Sequence, residues 1–165
     1  MKNAPIAASV ACLRGFIHHI REETLGIKQI SAFVENQPGR FKRLTDILEK
    51  ADVSIRGFSL ADTADFGIVR LVVDRPEEAI AALEAAGVLV RSTDLICIEL
   101  PDKPGALDHV FTVIAEASLN VEYAYSLVST YIVLKVDDIE QAKASLADQP
   151  IKLVSQEDLK KPVSC

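Results

Sequence analysis

ENQPGRFKRLTDILEKADVSI (35–55) and LPDKPGALDHVFTVIAEASLNV (100–121) are one local pattern written twice. In each, an apolar run meets a polar residue, a spacer and Pro-Gly, and a helical pattern follows. Pro38 and Pro104 restrict φ in a first helical turn, where the missing N–H costs nothing. Gly39 and Gly105 leave the backbone bare, so another group can approach it closely. Phe41, Leu44, Ile47, Leu48 and Ala51 then recur at helical spacing and predict one apolar stripe.

Working outward, the repeat fills most of the chain. At an offset of 66 residues (104 minus 38), Phe41 meets Leu107, Leu44 meets Val110, Leu48 meets Ile114 and Ile55 meets Val121. A three-residue loss near ADTADF changes the offset to 63, and IVRLVVD (68–74) then lies over YIVLKVD (131–137). Each copy reads strand, helix, two strands joined by a turn, helix, strand. Asp74 and Asp137 are expected to cap the second helices, with Glu77 and Glu140 answering three positions later. Gly87 is expected to stop the first of these helices. The order β-α-β-β-α-β predicts an α+β protein of two ferredoxin-like units packed as a pseudo-dimer. Unit one is assigned 27–93 and unit two 94–158. An N-terminal extension, 1–26, is expected to be helical or unstructured, and 159–165 to form a tail.

The composition narrows the function. The chain has 165 residues, 49% of them hydrophobic, with a net charge of −6, only 5% aromatic residues and no tryptophan. Nucleic acid and anionic membranes both call for a basic surface, so neither is an expected partner. Few aromatics also means few platforms on which bases stack. Cys12, Cys97 and Cys165 are odd in number and scattered, which argues against a disulfide framework and for a cytoplasmic protein. The apolar stretch Ile6–Leu13 is short for a secretion signal, and Arg14 interrupts it.

A helix N-terminus presents unpaired N–H groups and partial positive charge, which suits a carboxylate. A polar residue before the proline, Asn36 or Asp102, is placed to hold a nearby ammonium or amide. One copy of Pro-Gly reads as a tight turn; two copies, each with Asn or Asp in front, point to a ligand loop. The two stretches also resemble the signature of ACT domains, small amino-acid-sensing modules of regulated enzymes in amino-acid metabolism. That resemblance covers nearly everything after Leu25. It implies a first ligand loop of Asn36, Gln37, Pro38, Gly39 and Arg40, and a second of Asp102, Lys103, Pro104, Gly105 and Ala106. It further implies that the residue opening the second strand reaches the ligand between modules, here Ser54 and Asn120.

No nucleophile–base set, phosphate loop or metal cluster stands out. His18 and His19 near Cys12 lack a fourth ligand, and His109 is expected to face solvent. Tyr123 and Tyr125 alternate onto one strand face and read as core. The expectation is a non-catalytic, amino-acid-binding regulator of amino-acid metabolism, without metal or cofactor. The alternative is a regulatory subunit of a biosynthetic enzyme, as in the acetolactate synthase small subunit. Ile68 and Val72 make the sheet face away from the helices apolar, and a second copy of the chain is the expected cover.

Overall fold

The structure is a computed structural model that describes residues 26–62 and 66–161. Cys12, His18, His19 and Cys165 lie outside the described residues. Unit one runs β1 (Ile27–Glu35), α1 (Arg40–Lys50), β2 (Ile55–Asp62), β3 (Phe66–Val73), α2 (Pro76–Ala85) and β4 (Leu89–Glu99). Unit two follows with α3 (Ala106–Glu116), β5 (Val121–Ser126), β6 (Tyr131–Val136), α4 (Ile139–Ala147), β7 (Lys152–Leu153) and α5 (Gln156–Lys160). The α+β class and the βαββαβ repeat are as the sequence implies.

All pairings are antiparallel, and the described strands form one seven-stranded sheet in the order β2-β3-β1-β4-β6-β5, with β7 also on β4. β4 is the joint. Its first part, residues 89–95, pairs with β1; residues 96–99 pair with β6, and Ile98 and Glu99 with β7. The divide expected at 93/94 thus falls inside one continuous strand. Neither unit completes its sheet without it.

Alternation along the strands builds three cores. Ile30, Ala32, Val69, Leu71 and Val73 face Leu44 and Leu48 of α1 and Leu83 of α2. Ile96, Ile98, Ile132 and Leu134 do the same against Val110 and Ile114 of α3 and Leu146 of α4. The third core joins the units: Ile27, Val72 and Leu95 meet Cys97, Leu127, Val133, Val154 and Leu159 on the sheet's other face. The sheet curls until β2 and β5 approach one another, and Val128 N–H donates to the Arg56 carbonyl at 2.8 Å. Gly57 permits this closure, because a Cβ there would lie 2.4 Å from Leu127 Cδ2 and 3.0 Å from its Cα.

One polar residue is buried in this joint. Gln29 is 0% exposed; its Nε2 donates to the Tyr123 hydroxyl (2.9 Å), and the Tyr125 hydroxyl donates to its Oε1 (2.9 Å). The Arg70 guanidinium lies 4.4 Å from the Tyr123 ring centre. A buried amide with both ends paired ties β1 to β5 at little cost in desolvation. Both tyrosines therefore do pack inward, as their alternation suggests. Burial pushes the Cys97 thiol up to about 12, which keeps it protonated and unreactive.

The cover expected over the sheet face is corrected in part. Val72 is fully buried by the chain's own second unit, not by another chain. The same face stays open further along, where Ala61, Ile68, Phe33 and Leu89 are successive cross-strand partners. Phe33 is 38% exposed and Leu89 70%.

The helix starts also differ from expectation. Arg75 occupies the N-cap of α2 with no side-chain hydrogen bond to the helix start, and Asp138, not Asp137, caps α4 by accepting from Gln141 N–H at 2.9 Å. Asp74 and Asp137 instead accept from the backbone N–H groups of Ser54 (2.9 Å) and Asn120 (3.1 Å). They tie the start of the second strand to the end of the third. Gly87 does stop α2, at φ +77° with its N–H on the Glu84 carbonyl.

Candidate functional site

Both Pro-Gly loops have one geometry. Gly39 (φ +83°) and Gly105 (φ +84°) are the left-handed N-caps of eleven-residue helices, so Pro38 and Pro104 stand before the helices and not in their first turns as expected, and neither helix has a side-chain cap. A φ in this region strains most L-residues, which explains glycine at both positions. A Cβ on either would meet nothing within 4 Å, so the space before each helix is open. Gln37 N–H donates to the Glu35 carbonyl and Lys103 N–H to the Pro101 carbonyl, so the two turns match bond for bond. Asn36, Gln37, Pro38, Asp102, Lys103 and Pro104 are exposed; Arg40 and Ala106 are half-buried.

The first loop borders a cavity of about 200 Å³. Asn36, Gln37 and Arg40 form its polar side, with Phe41, Leu60 and Val69 opposite. Phe41 packs on Phe58 with ring centres 5.7 Å apart, and Leu60 remains 59% exposed. The Arg40 guanidinium is held by the Glu35 carboxylate, so it stands over the loop rather than in free solvent. A second hollow of about 180 Å³ lies on the other side of Arg40, where Arg43 donates to the Ala86 carbonyl at 3.2 Å. Leu60 and Ala61 were not legible as lining residues of this cavity. Only the register of β2 on β3 brings them to the loop.

Ser54 and Asn120 do not join their own loops. β1 and β2 both run antiparallel to β3, so they are parallel to each other and joined by α1. The loop at the end of β1 and the residue opening β2 are therefore separated by that helix, about 16 Å for eleven residues. Unit two repeats the arrangement. Ser54 instead lines a cleft of about 890 Å³ between the start of β2, the start of α2 and the C-terminal α5. One ligand cannot touch a Pro-Gly loop and the second-strand residue of the same unit.

Chemistry elsewhere is sparse. Among the described residues, no group of three or more His, Cys, Asp or Glu is placed to hold a metal ion. His109 is exposed, as expected. No helix among them is long and apolar enough to cross a membrane.

Comparison with known proteins agrees with this architecture. The chain is similar to a solved protein of Bacteroides thetaiotaomicron, with 30% identity and a TM-score of 0.79 over 84% of this chain and 98% of that one. It shares its fold with the regulatory subunit of aspartate kinase from Thermus thermophilus (19% identity, TM-score 0.56, 74% and 90% covered). The corresponding subunit from Thermus flavus matches similarly (19%, 0.53, 74% and 90%). No curated protein matches the chain. The profile of an ACT domain pair matches residues 25–163, which spans both units and the strand they share. With two βαββαβ units and two matching Pro-Gly helix starts, the chain belongs to the ACT domain pair family, whose domains are regulatory.

Proposed function

We propose that the chain is a non-catalytic sensor of amino-acid metabolism that binds a free amino acid at its Pro-Gly loops. One observation carries this reading: the left-handed, uncapped glycine helix start, present twice with open space before it. The ligand carboxylate meets the unpaired N–H groups of α1 or α3, and Asn36 or Asp102 receives its ammonium. At the first loop, Phe41 and Leu60 offer an apolar wall to the ligand side chain. Because Ser54 and Asn120 lie a helix length away, the second-strand contact comes from another module, which makes an assembly part of the site.

The open row Ala61, Ile68, Phe33 and Leu89 is where a second copy docks in this reading. It continues, on the same sheet face, the joint already buried between the units. Ile68→Asp puts a charge in that row and should give monomers in sedimentation; an unchanged sedimentation coefficient would remove the homodimer. The second reading, a regulatory subunit, places an enzyme of amino-acid metabolism on this row. The fold shared with an aspartate kinase regulatory subunit favours it, and co-purification of a larger subunit would decide for it.

Thermal shift against the twenty amino acids tests the ligand. A ligand at 100 times its Kd stabilises by about 2.7 kcal/mol, several degrees for a chain of this length. The shift should disappear in Gly39→Asp or Gly105→Asp. A screen with no response would sink the sensor reading.

A further inference from the structure

The cleft at the other end of unit one is lined by Ser54, Arg56, Asp74, Arg75, Gln156 and Lys160, among others. Arg56 is its unusual member. It is skipped where β2 pairs with β3, since Ile55 faces Val73 and Gly57 faces Val72. Such a bulge re-aims a side chain and is over-represented beside binding and active sites. The Arg56 side chain is only 14% exposed, and among the described residues no acceptor reaches its Nε. The Oδ2 of its ion-pair partner Asp74 stands 3.9 Å from a terminal nitrogen, beyond hydrogen-bond range, while the Asp74 Oδ1 accepts from Ser54 N–H. A guanidinium withdrawn this far from water ordinarily has a carboxylate or phosphate in its fork.

The neighbouring cations are occupied. Arg75 pairs with Asp52 at 2.9 Å, and Lys160 with Glu157. The cleft wall is held in place, because Gln156 Nε2 donates to the Val73 carbonyl (2.8 Å) and its Oε1 accepts from Lys28 N–H (3.1 Å). Leu159, 2% exposed, anchors α5 in the joint between the units. The site is thus built from fixed elements, as a binding site needs.

The charge balance selects the ligand. The lining holds three cations (Arg56, Arg75, Lys160) against five carboxylates (Asp52, Asp74, Glu77, Glu78, Glu157), and with Lys28 pairing Glu77 from outside the lining one negative charge is in excess. A multiply charged anion would be repelled by that excess, whereas an ammonium would be attracted. We propose that the Arg56 cleft is a second binding site, for a small molecule carrying a carboxylate beside a cationic group, of which a free amino acid is the simplest. Its carboxylate takes the terminal nitrogens of Arg56, and its ammonium faces the acidic rim. This proposal does not depend on the Pro-Gly loops and stands even if neither binds.

The experiment is a titration of the ¹⁵N-labelled full chain followed by amide chemical shifts, with each amino acid, and with acetate, methylammonium and inorganic phosphate separately. It is run on the natural sequence and on Gly39→Asp. The expected result is saturable movement of the amides of 54–57, 74–78 and 156–160 with at least one amino acid. That movement should survive Gly39→Asp and weaken by about tenfold or more in Arg56→Met, with the fork hydrogen bonds gone. If Arg56→Met does not fold, Arg56→Lys keeps the charge without the fork and should still lose affinity. Three results would overturn the proposal: no movement at these amides with any amino acid, an Arg56 variant that binds unchanged, or acetate or phosphate binding as tightly. Shifts confined to 36–41 would leave the loop reading intact and refute this one alone.

Discussion

Unit one and unit two share an element order and differ in finish. The hairpin strands β2 and β3 of the first have eight residues each, while their counterparts β5 and β6 in the second have six each. On the inner face of the first unit only the Val72 end is covered, and the Phe33–Leu89 end stays open. Both units carry a bulge at the matching place in the second strand, yet the skipped residue is Arg56 in one and Glu122 in the other. Glu122 is exposed and 3.9 Å from Lys135; Arg56 is withdrawn into a cleft. A repeat thus preserves the backbone while freeing side chains at equivalent positions to take different work.

The largest effects should come from breaking one core at a time. Leu71 and Leu134 are both 0% exposed, and truncation of either to alanine should cost about 2–5 kcal/mol. Because β4 belongs to both sheets, each variant should still unfold in a single urea transition with the whole chain shifted. Two separate transitions would mean the units are independent domains. Next comes the joint. Gly57→Ala drives a methyl into Leu127, backbone included, and should cost about 1–3 kcal/mol in the same assay. An unchanged midpoint would mean the β2–β5 closure is loose in solution. Smallest is the difference in helix starts. Asp138→Ala removes the α4 cap and should cost about 0.5–2 kcal/mol, whereas Arg75→Ser, offering α2 the cap it lacks, should gain a part of that. Equal and opposite small shifts would sharpen the comparison; a loss in both would show that the Arg75–Asp52 pair outweighs a cap.

Much of this was legible beforehand, for identifiable reasons. Helical spacing in Phe41–Ala51 and alternation in β1 and β3 depend on which face is buried, so they survive in the residue order. Gly39 and Gly105 read from the sequence only as bare backbone open to another group; their left-handed conformation, which few other residues accept, is seen only in the structure. The caps were read one residue or one role away: Asp74 and Asp137 have the right chemistry, but the nearer unpaired donors belong to Ser54 and Asn120. Side-chain spacing along the chain cannot tell which donor across a loop an aspartate will find. The two Pro-Gly segments do connect a strand to a helix, yet Ser54 could not be seen to stand apart from them, since strand direction across the sheet is not written locally.

By itself, then, the sequence determined the elements, the repeat and the two glycine helix starts, all consequences of local sterics and of one-face burial. The tertiary structure decided what spans many residues. It merged the last strand of one unit and the first of the next into β4, and closed β2 on β5 through Gly57. It buried Gln29 between two tyrosines and turned Arg56 into a cleft walled by a helix a hundred residues further along. Each of these depends on register and on the curl of the sheet, which arise only when distant strands pair and bury surface together.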